Sequence, residues 1–272
     1  MVALLCTVRG CRLPLSRDER RFVCPRGHSF DMARSGYCNL LQPQDRRSRQ
    51  PGDSAEAVAA RRQFLDRFRS AVPMAPLFES GGMAAALQSV IDVGCGEGYY
   101  LGAMQKQFGA EAHGVDISVA AIDLAARRYR DCFFVVANAD RFLPYADASF
   151  DLVTSITSRM NPDEFRRVLK NDGRLLVALA GPDDLIELRE AVLGEGKLID
   201  RVERTVSTFG SRFVMKKHER VRQVVHLDRD AIHDVMASSY RGLRASQRER
   251  LAALADIDVT FSRDVLLFTC RS

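Results

Sequence analysis

The stretch VIDVGCGEGYY, residues 90–100, constrains the fold of this chain more than any other part of the sequence. A buried strand ends at Asp92, and Gly94, Gly96 and Gly98 follow before a helix begins. Glycine allows a sharp backbone turn and a close approach of a ligand. In an open α/β sheet, such a turn lies at the carboxyl end of a strand, where ligands bind. The stretch therefore predicts a strand, a ligand-binding loop and a helix in succession.

The rest of the chain repeats this alternation. We predict strands at 89–95, 111–117, 132–139, 149–156 and 173–180, and helices at 98–108, 118–129, 162–169 and 183–193. Two β-rich segments, 220–227 and 258–271, flank one helical segment, 232–254. Strands that alternate with helices of this length form a mainly parallel, doubly wound sheet. The predicted fold class is therefore α/β and Rossmann-like.

The glycine spacing indicates which nucleotide binds. A dinucleotide fingerprint, G-x-G-x-x-G, would place its third glycine at position 99, which is Tyr99. Asp116 ends the second predicted strand, 22 residues after Gly94, and a carboxylate there can accept hydrogen bonds from both ribose hydroxyls. The pattern favours a nucleoside cofactor over NAD. A Rossmann-like scaffold that binds no nucleotide is the alternative.

The amino-terminal segment carries a second kind of site. Cys6 and Cys11 form one pair, Cys24 and His28 another, and twelve residues separate the pairs. In a reducing compartment such a cluster indicates a metal rather than disulfides. Zinc takes Cys3His tetrahedrally, and four protein ligands make a closed, structural site. The first pair is wider than usual, so Cys38 is an alternative ligand to Cys6; without metal, these thiols would form an exposed reactive cluster.

Charge is concentrated at the same end of the chain. Residues 1–70 hold 14 arginines and 7 acidic residues, whereas the other 202 residues hold 26 basic and 28 acidic ones. Arginine suits phosphate recognition, so this asymmetry indicates a polyanionic partner. The alternative is composition bias, because arginine outnumbers lysine 35 to 5 throughout the chain.

The sequence divides into three parts: a zinc-binding domain (1–45), a basic linker and helix (46–84), and a cofactor-binding domain (85–272). No apolar run approaches the ~18 residues of a transmembrane helix. We therefore expect a cytoplasmic protein that does not enter the membrane. The sequence is compatible with a homodimer but does not determine the oligomeric state.

The glycine loop, Asp116 and the stretch NADRFLPYADASFDLV together resemble the class I S-adenosylmethionine-dependent methyltransferases. A narrower resemblance runs along nearly the whole chain. The stretches CPRGHSFDMARSGYCNLL, RRSRQPGDSAEAVAARRQFLD, AGPDDLIELREAV and VMASSYRGLRA are similar to the large-subunit ribosomal RNA guanine-N1 methyltransferases. In that family a small zinc domain precedes a class I methyltransferase. The resemblance implies methylation of N1 of a guanine in a hairpin loop of large-subunit ribosomal RNA.

The resemblance also implies roles for individual residues. The glycine loop would pass under the methionine part of S-adenosylmethionine, Asp116 would hold the ribose, and residues 138–140 would flank the adenine. The expected cofactor-binding residues are Asp92, Gly94, Cys95, Gly96, Gly98, Tyr100, Leu101, Asp116, Ile117, Asn138, Ala139, Asp140 and Asp184.

N1 of the target guanine loses a proton when it is methylated, so we expect a general base near it. Asp140 and Asp184 are the candidates, although Asp140 could instead contact adenine and Asp184 could cap a helix. The candidate phosphate contacts are Arg46, Arg47, Arg49, Arg61 and Arg62, with a solvated linker as the alternative.

Three stretches depart from the family pattern. A Tyr-Ala-Pro-like segment is ITSRMNP here, a common histidine is Asp184, and an aromatic, Trp-containing segment is SSYRGL. All three stretches would lie near the binding site of the target base or of the methionine part of the cofactor. Two rival functions therefore stay open: a small-molecule methyltransferase, and a non-catalytic RNA-binding protein that senses S-adenosylmethionine.

Overall fold

The computed structural model describes residues 2–46, 48, 51–68, 87–240 and 242–271. The strands of its large sheet are β4 (Cys38–Asn39), β5 (Ser89–Val93), β6 (Glu111–Asp116), β7 (Cys132–Val136), β8 (Phe150–Ile156), β9 (Leu169–Ala180), β10 (Phe213–Asp228) and β11 (Asp256–Cys270). The helices are α1 (Ala55–Arg67), α2 (Tyr99–Phe108), α3 (Val119–Arg128), α4 (Pro162–Val168), α5 (Ile186–Leu188, continued by a π-helical turn, Arg189–Leu193), α6 (Val202–Phe209), α7 (Arg229–Ser239) and α8 (Ala245–Ala253).

The spatial order of this sheet is β10-β11-β9-β8-β5-β6-β7-β4. Strands β4 to β9 pair in parallel, and β10 and β11 add an antiparallel edge. The predicted mainly parallel, doubly wound α/β sheet is therefore confirmed. The order reverses between β5 and β8, and ligands bind such sheets at this switch point.

Both faces of the sheet are buried. In β5, Val90 belongs to the apolar cluster on one face and Ile91 to the cluster on the other, and neither is exposed. Burial on two faces explains why β5 is a continuous apolar run rather than an alternating one. The two faces hold the carboxyl end of β5, and thus the glycine loop, in a fixed position.

The amino-terminal segment folds as a small head against one of these faces. It contains an antiparallel sheet of β1 (Ser16–Asp18), β2 (Arg21–Val23) and β3 (Ser29–Asp31), in which β1 and β2 form a hairpin. Strand β4 then leaves the head and pairs with β7. Leu4 and Phe30 of the head share an apolar cluster with strands of the large sheet.

Some elements differ from the sequence prediction. Strand β4, helix α6 and residues 213–219 of β10 were not predicted. The segment 232–254 forms two helices rather than one, and Gly242 between them has a φ of +70°. The three-part division at 45 and 84 stays a prediction, because much of 46–84 lies outside the described residues. No helix in the described ranges is long and apolar enough to cross a membrane.

Candidate functional site

A cavity of about 620 Å³ opens at the carboxyl ends of β5, β6, β7 and β8. Seven residues expected to bind the cofactor line it: Gly94, Gly96, Asp116, Ile117, Asn138, Ala139 and Asp140. The other expected residues are outside the lining. Cys95, Tyr100 and Leu101 are buried in the apolar core beside the loop, and Asp92 is buried beneath it. Gly98 is the residue before α2 and faces Tyr129.

The glycine loop needs glycine for two reasons. Gly94 and Gly96 have φ values of +78° and +55°, which are disfavoured for residues with a side chain. A Cβ atom on Gly94 would also lie 2.4 Å from Cβ of Ser158, in the segment after β8. Ser158 Oγ donates a hydrogen bond to the Val93 carbonyl at 2.6 Å. The loop is therefore packed between strand β5 and residue 158.

Asp116 is held in place by two backbone N–H groups at the end of β6. Its Oδ2 accepts a hydrogen bond from the Gly96 N–H at 3.0 Å, and its Oδ1 accepts one from the Ser118 N–H at 2.8 Å. Burial raises the pKa of Asp116, and these two bonds counteract the rise. Each carboxylate oxygen has a second lone pair, so each can still accept a hydrogen bond from a hydroxyl group of a ligand.

Two further acids are buried near the loop. Asp92 is 1% exposed and accepts a hydrogen bond from Thr154 Oγ1 at 2.7 Å. Burial raises the pKa of Asp92 to about 7 and also raises the pKa of Glu97. A positively charged ligand in the cavity would favour the ionised forms of these acids. Their charge fits S-adenosylmethionine, which carries a sulfonium and an ammonium group.

The linker before α1 forms one wall of the cavity. Ser118 Oγ donates a hydrogen bond to the Asp53 carbonyl at 2.8 Å, and Ser54 caps α1 by accepting from the Ala57 N–H. Gly52 has a φ of +85°, and a Cβ atom there would lie 2.7 Å from Cβ of Ser118. The sequence predicted only a solvated or RNA-binding linker, so this contact with Ser118, the residue that caps α3, was missed.

The structure separates the two candidate bases. Asp140 lines the cavity, and its Oδ2 lies 3.4 Å from Nη1 of Arg159. Asp184 accepts a hydrogen bond from the Ser262 N–H at 2.9 Å and forms an ion pair with Arg263, so it faces β11. It does not line the cavity and does not cap α5, whose first turn has no side-chain cap.

The head brings Cys6, Cys11, Cys24 and His28 together, with their ligand atoms all within 4.8 Å of one another. Tetrahedral zinc would place two sulfurs about 3.8 Å apart, and a sulfur and a nitrogen about 3.6 Å apart. The Cys11 and Cys24 Sγ atoms are 3.8 Å apart. His28 Nδ1 lies 3.4 Å from Cys6 Sγ and 3.3 Å from Cys24 Sγ. These distances fit one zinc ion, with Nδ1 as the histidine ligand.

Backbone N–H groups also face the thiols. Burial alone would raise the pKa of Cys24, but hydrogen bonds from His28 and Arg26 N–H groups, with smaller effects of neighbouring thiols, lower it to about 7. Such bonds stabilise the thiolate that zinc binds. Cys38 is not in this cluster, because it lies in β4 opposite Val135.

The candidate RNA-binding arginines fall in different places. Arg46 is exposed, and Arg62 pairs with Asp66 at 3.6 Å. Arg61 lines the 620 Å³ cavity instead of the outer surface of the linker. Arg47 and Arg49 lie outside the described residues.

A second cavity, of about 120 Å³, lies between the head and the end of β7. It shares Ala137 and Asn138 with the 620 Å³ cavity, and its lining includes Arg9, Arg12 and Arg141. The Arg12 guanidinium lies over the Phe142 ring at 4.7 Å. These arginines could not be singled out from the sequence, because nothing local shows that the head folds beside β7.

Comparisons with known proteins agree with this architecture. Residues 90–177 match the family described as "Methyltransferase domain", and residues 5–49 match the zinc ribbon described as "RlmA, N-terminal". The Streptomyces fradiae 23S rRNA (guanine(748)-N(1))-methyltransferase is 34% identical, over 96% of this chain and 94% of that protein. YxjB of Bacillus subtilis (strain 168), whose name assigns it provisionally to the same guanine-N1 class, is 31% identical over 91% and 90%.

Solved structures show the fold alone. YcgJ from Bacillus subtilis has a TM-score of 0.54 at 16% identity, over 73% of this chain and 98% of that one. The [4+2]-cyclase SpnF has a TM-score of 0.50 at 18% identity, and the match covers 72% of this chain and 79% of the cyclase. A shared fold that includes a cyclase does not determine the reaction.

The fold, the glycine loop and the Cys3His cluster define a class I S-adenosylmethionine-dependent methyltransferase with a zinc-ribbon head. Within this class, the chain belongs to the family of 23S ribosomal RNA guanine-N1 methyltransferases. The family resemblance drawn from the sequence is therefore confirmed.

Proposed function

We propose that this protein transfers a methyl group from S-adenosylmethionine to N1 of a guanine in a hairpin loop of 23S ribosomal RNA. The observation that carries the proposal is the position of the metal head, whose arginine-lined cavity shares a wall with the cofactor cavity. RNA held by the head would thus lie beside the methyl donor. The similarity to the Streptomyces fradiae enzyme along nearly its whole length supports guanine 748 as the target.

The 620 Å³ cavity is the proposed cofactor site. Asp116 would accept hydrogen bonds from the ribose, Asn138 and Ala139 would flank the adenine, and Gly94 and Gly96 would lie under the methionine part. Bound S-adenosylmethionine supplies an activated methyl group. The protein then mainly orients the guanine nitrogen and excludes water. Turning an unpaired loop base out of its stack and into this position costs less free energy than extracting a paired base.

Asp140 is the better placed of the two candidate bases. It lies on the cavity wall, whereas Asp184 is engaged with β11. We propose that the Asp140 carboxylate accepts the N1 proton, with Arg159 orienting it from 3.4 Å.

The test of this function is turnover of labelled S-adenosylmethionine on unmodified 23S ribosomal RNA, followed by mapping of the modified nucleotide. A small-molecule methyltransferase would leave the RNA unlabelled. A non-catalytic sensor would bind both ligands without turnover. Transfer to another guanine would correct the target position and keep the reaction class.

We also propose a cytoplasmic location and a homodimer. Ribosomal RNA as substrate supports a cytoplasmic location. A homodimer is supported by β10, the outermost strand of the described sheet, whose Val224 is 54% exposed.

RNA affinity should depend on the arginines between the head and the sheet. Each phosphate contact contributes about 0.7 to 0.9 to the slope of log affinity against log salt. We expect the double variant Arg9→Gln/Arg12→Gln to lower this slope by about 2. Fluorescence anisotropy with a labelled RNA hairpin at several salt concentrations measures it.

A matched control lies at the other end of the sheet. Arg166 and Arg271 line an arginine-rich cavity near the amino ends of the strands, far from the cofactor. Their replacement by glutamine removes the same charge and should leave the slope unchanged. An equal decrease in both double variants would show that only net charge matters and would exclude a specific path beside the head.

A further inference from the structure

Helix α1 directs two neighbouring arginines to different places. Its buried side chains include Val58 and Leu65, and Arg61 stands three residues after the first and four before the second. Residues at this spacing share one face of a helix. Arg61 therefore lies on the face that packs against the rest of the protein, and it lines the cofactor cavity. Arg62 is one position further around the helix and pairs with Asp66.

The helix is fixed firmly enough to position this side chain. Phe64 stacks on Phe261 of β11 with ring centroids 5.3 Å apart. At the start of the helix, Ser54 supplies the cap and the Asp53 carbonyl accepts the hydrogen bond from Ser118. Arg61 thus stands on a rigid element that is attached both to Ser118, at the start of α3, and to β11.

The guanidinium of Arg61 has donors available for a ligand. Within the described residues its ion pair is with Glu97, where Nε and Oε2 are 3.6 Å apart, which is beyond hydrogen-bond distance. A guanidinium has five N–H donors in a planar fork. The charges nearest Arg61 are acidic: Asp53 and Asp116 line the cavity with it, and Glu97 is buried behind the glycine loop. The other arginine of the lining, Arg159, lies in the segment after β8 beside Asp140.

These charges match the two kinds of charge on the methionine part of S-adenosylmethionine. The ammonium and sulfonium groups would be attracted to the acids and repelled by Arg61. The carboxylate would be repelled by the acids and attracted to the guanidinium, which binds carboxylates in a bidentate manner. This electrostatic pattern favours an orientation of the methionine part in which its carboxylate faces Arg61.

We propose that Arg61 binds the carboxylate of S-adenosylmethionine, and that the linker helix therefore belongs to the cofactor site rather than to the RNA-binding surface. The inference rests on the assignment of the 620 Å³ cavity to the cofactor. It replaces the expectation, drawn from the sequence, that Arg61 contacts phosphate. It also means that the cofactor contacts the segment that follows the metal head.

The test compares two ligands that differ only in the carboxylate, S-adenosylmethionine and its decarboxylated form, by calorimetry in the absence of RNA. For Arg61→Gln we expect affinity for S-adenosylmethionine to fall about 10- to 100-fold, because a bidentate, charge-assisted contact is lost. Affinity for the decarboxylated form should stay the same or increase, since it offers the guanidinium no partner. Arg62→Gln, on the adjacent residue, should leave both affinities unchanged.

The two ligands also separate this role from a structural one. An equal loss of affinity for both ligands in Arg61→Gln would mean that Arg61 only supports the wall, and would overturn the proposal. Unchanged affinity for S-adenosylmethionine would also overturn it. If neither ligand bound the unmodified protein, the cofactor assignment itself would fail. Arg61→Lys keeps the positive charge but lacks the planar set of N–H donors. Its affinity for S-adenosylmethionine should therefore lie between those of Arg61→Gln and the unmodified protein, and its affinity for the decarboxylated form should not fall.

Discussion

Replacing Asp116 by alanine is expected to weaken S-adenosylmethionine binding by at least about a hundredfold. In the proposed cofactor site the carboxylate would accept two hydrogen bonds from ribose hydroxyls, and bonds to a charged group contribute about 1.5 to 3 kcal/mol each. The substitution also leaves the N–H groups of Gly96 and Ser118 without their acceptor. Calorimetry with S-adenosylmethionine measures the loss directly.

Two controls distinguish a binding defect from a folding defect. Asp131→Ala removes an exposed carboxylate just before β7 and should bind the cofactor normally. Thermal unfolding of Asp116→Ala without ligand should show a single transition a few degrees below that of the unmodified protein, because the Gly96 and Ser118 N–H groups lose their acceptor. Retained affinity in a folded Asp116→Ala variant would refute the ribose assignment.

The sequence was informative wherever a function depends on a local pattern. The glycine loop and Asp116 come from consecutive residues at the ends of two strands, and the structure brings both to one cavity. The metal cluster comes from two short pairs, Cys6 with Cys11 and Cys24 with His28. In both cases a few neighbouring residues determine the geometry.

The sequence was less informative where contacts between distant segments decide. Strand β4 has two residues and no periodicity of its own; it exists because Cys38 and Asn39 pair with β7. Arg61 was assigned to RNA because it stands in a basic linker, and its position depends on the contact of the linker with Ser118. Asp184 was a candidate base, but Ser262 and Arg263 hold its carboxylate at β11.

The metal head provides the second large effect. We expect Cys24→Ser to reduce bound zinc from one equivalent to below about half, because three ligands no longer close the tetrahedron. Structural zinc can contribute on the order of 10 kcal/mol to the folding of a small domain, so the head should unfold. RNA methylation should then fall by at least about a hundredfold, since the RNA loses the surface that holds it. Metal analysis, near-ultraviolet circular dichroism and turnover on RNA measure the three effects.

The Cys24→Ser substitution should affect the proposed cofactor site less than it affects the head. Asp116 and the glycine loop lie at the carboxyl ends of β5 and β6, whereas the head packs on one face of the sheet and adds β4 at its edge. We therefore expect Cys24→Ser to keep most of its affinity for S-adenosylmethionine while it loses RNA turnover. The Cys132→Ser variant, which changes a thiol outside the cluster, should keep both zinc and activity. A full equivalent of zinc in Cys24→Ser would contradict the ligand set. Equal loss of cofactor binding and turnover would instead show that the head and the sheet unfold as one unit.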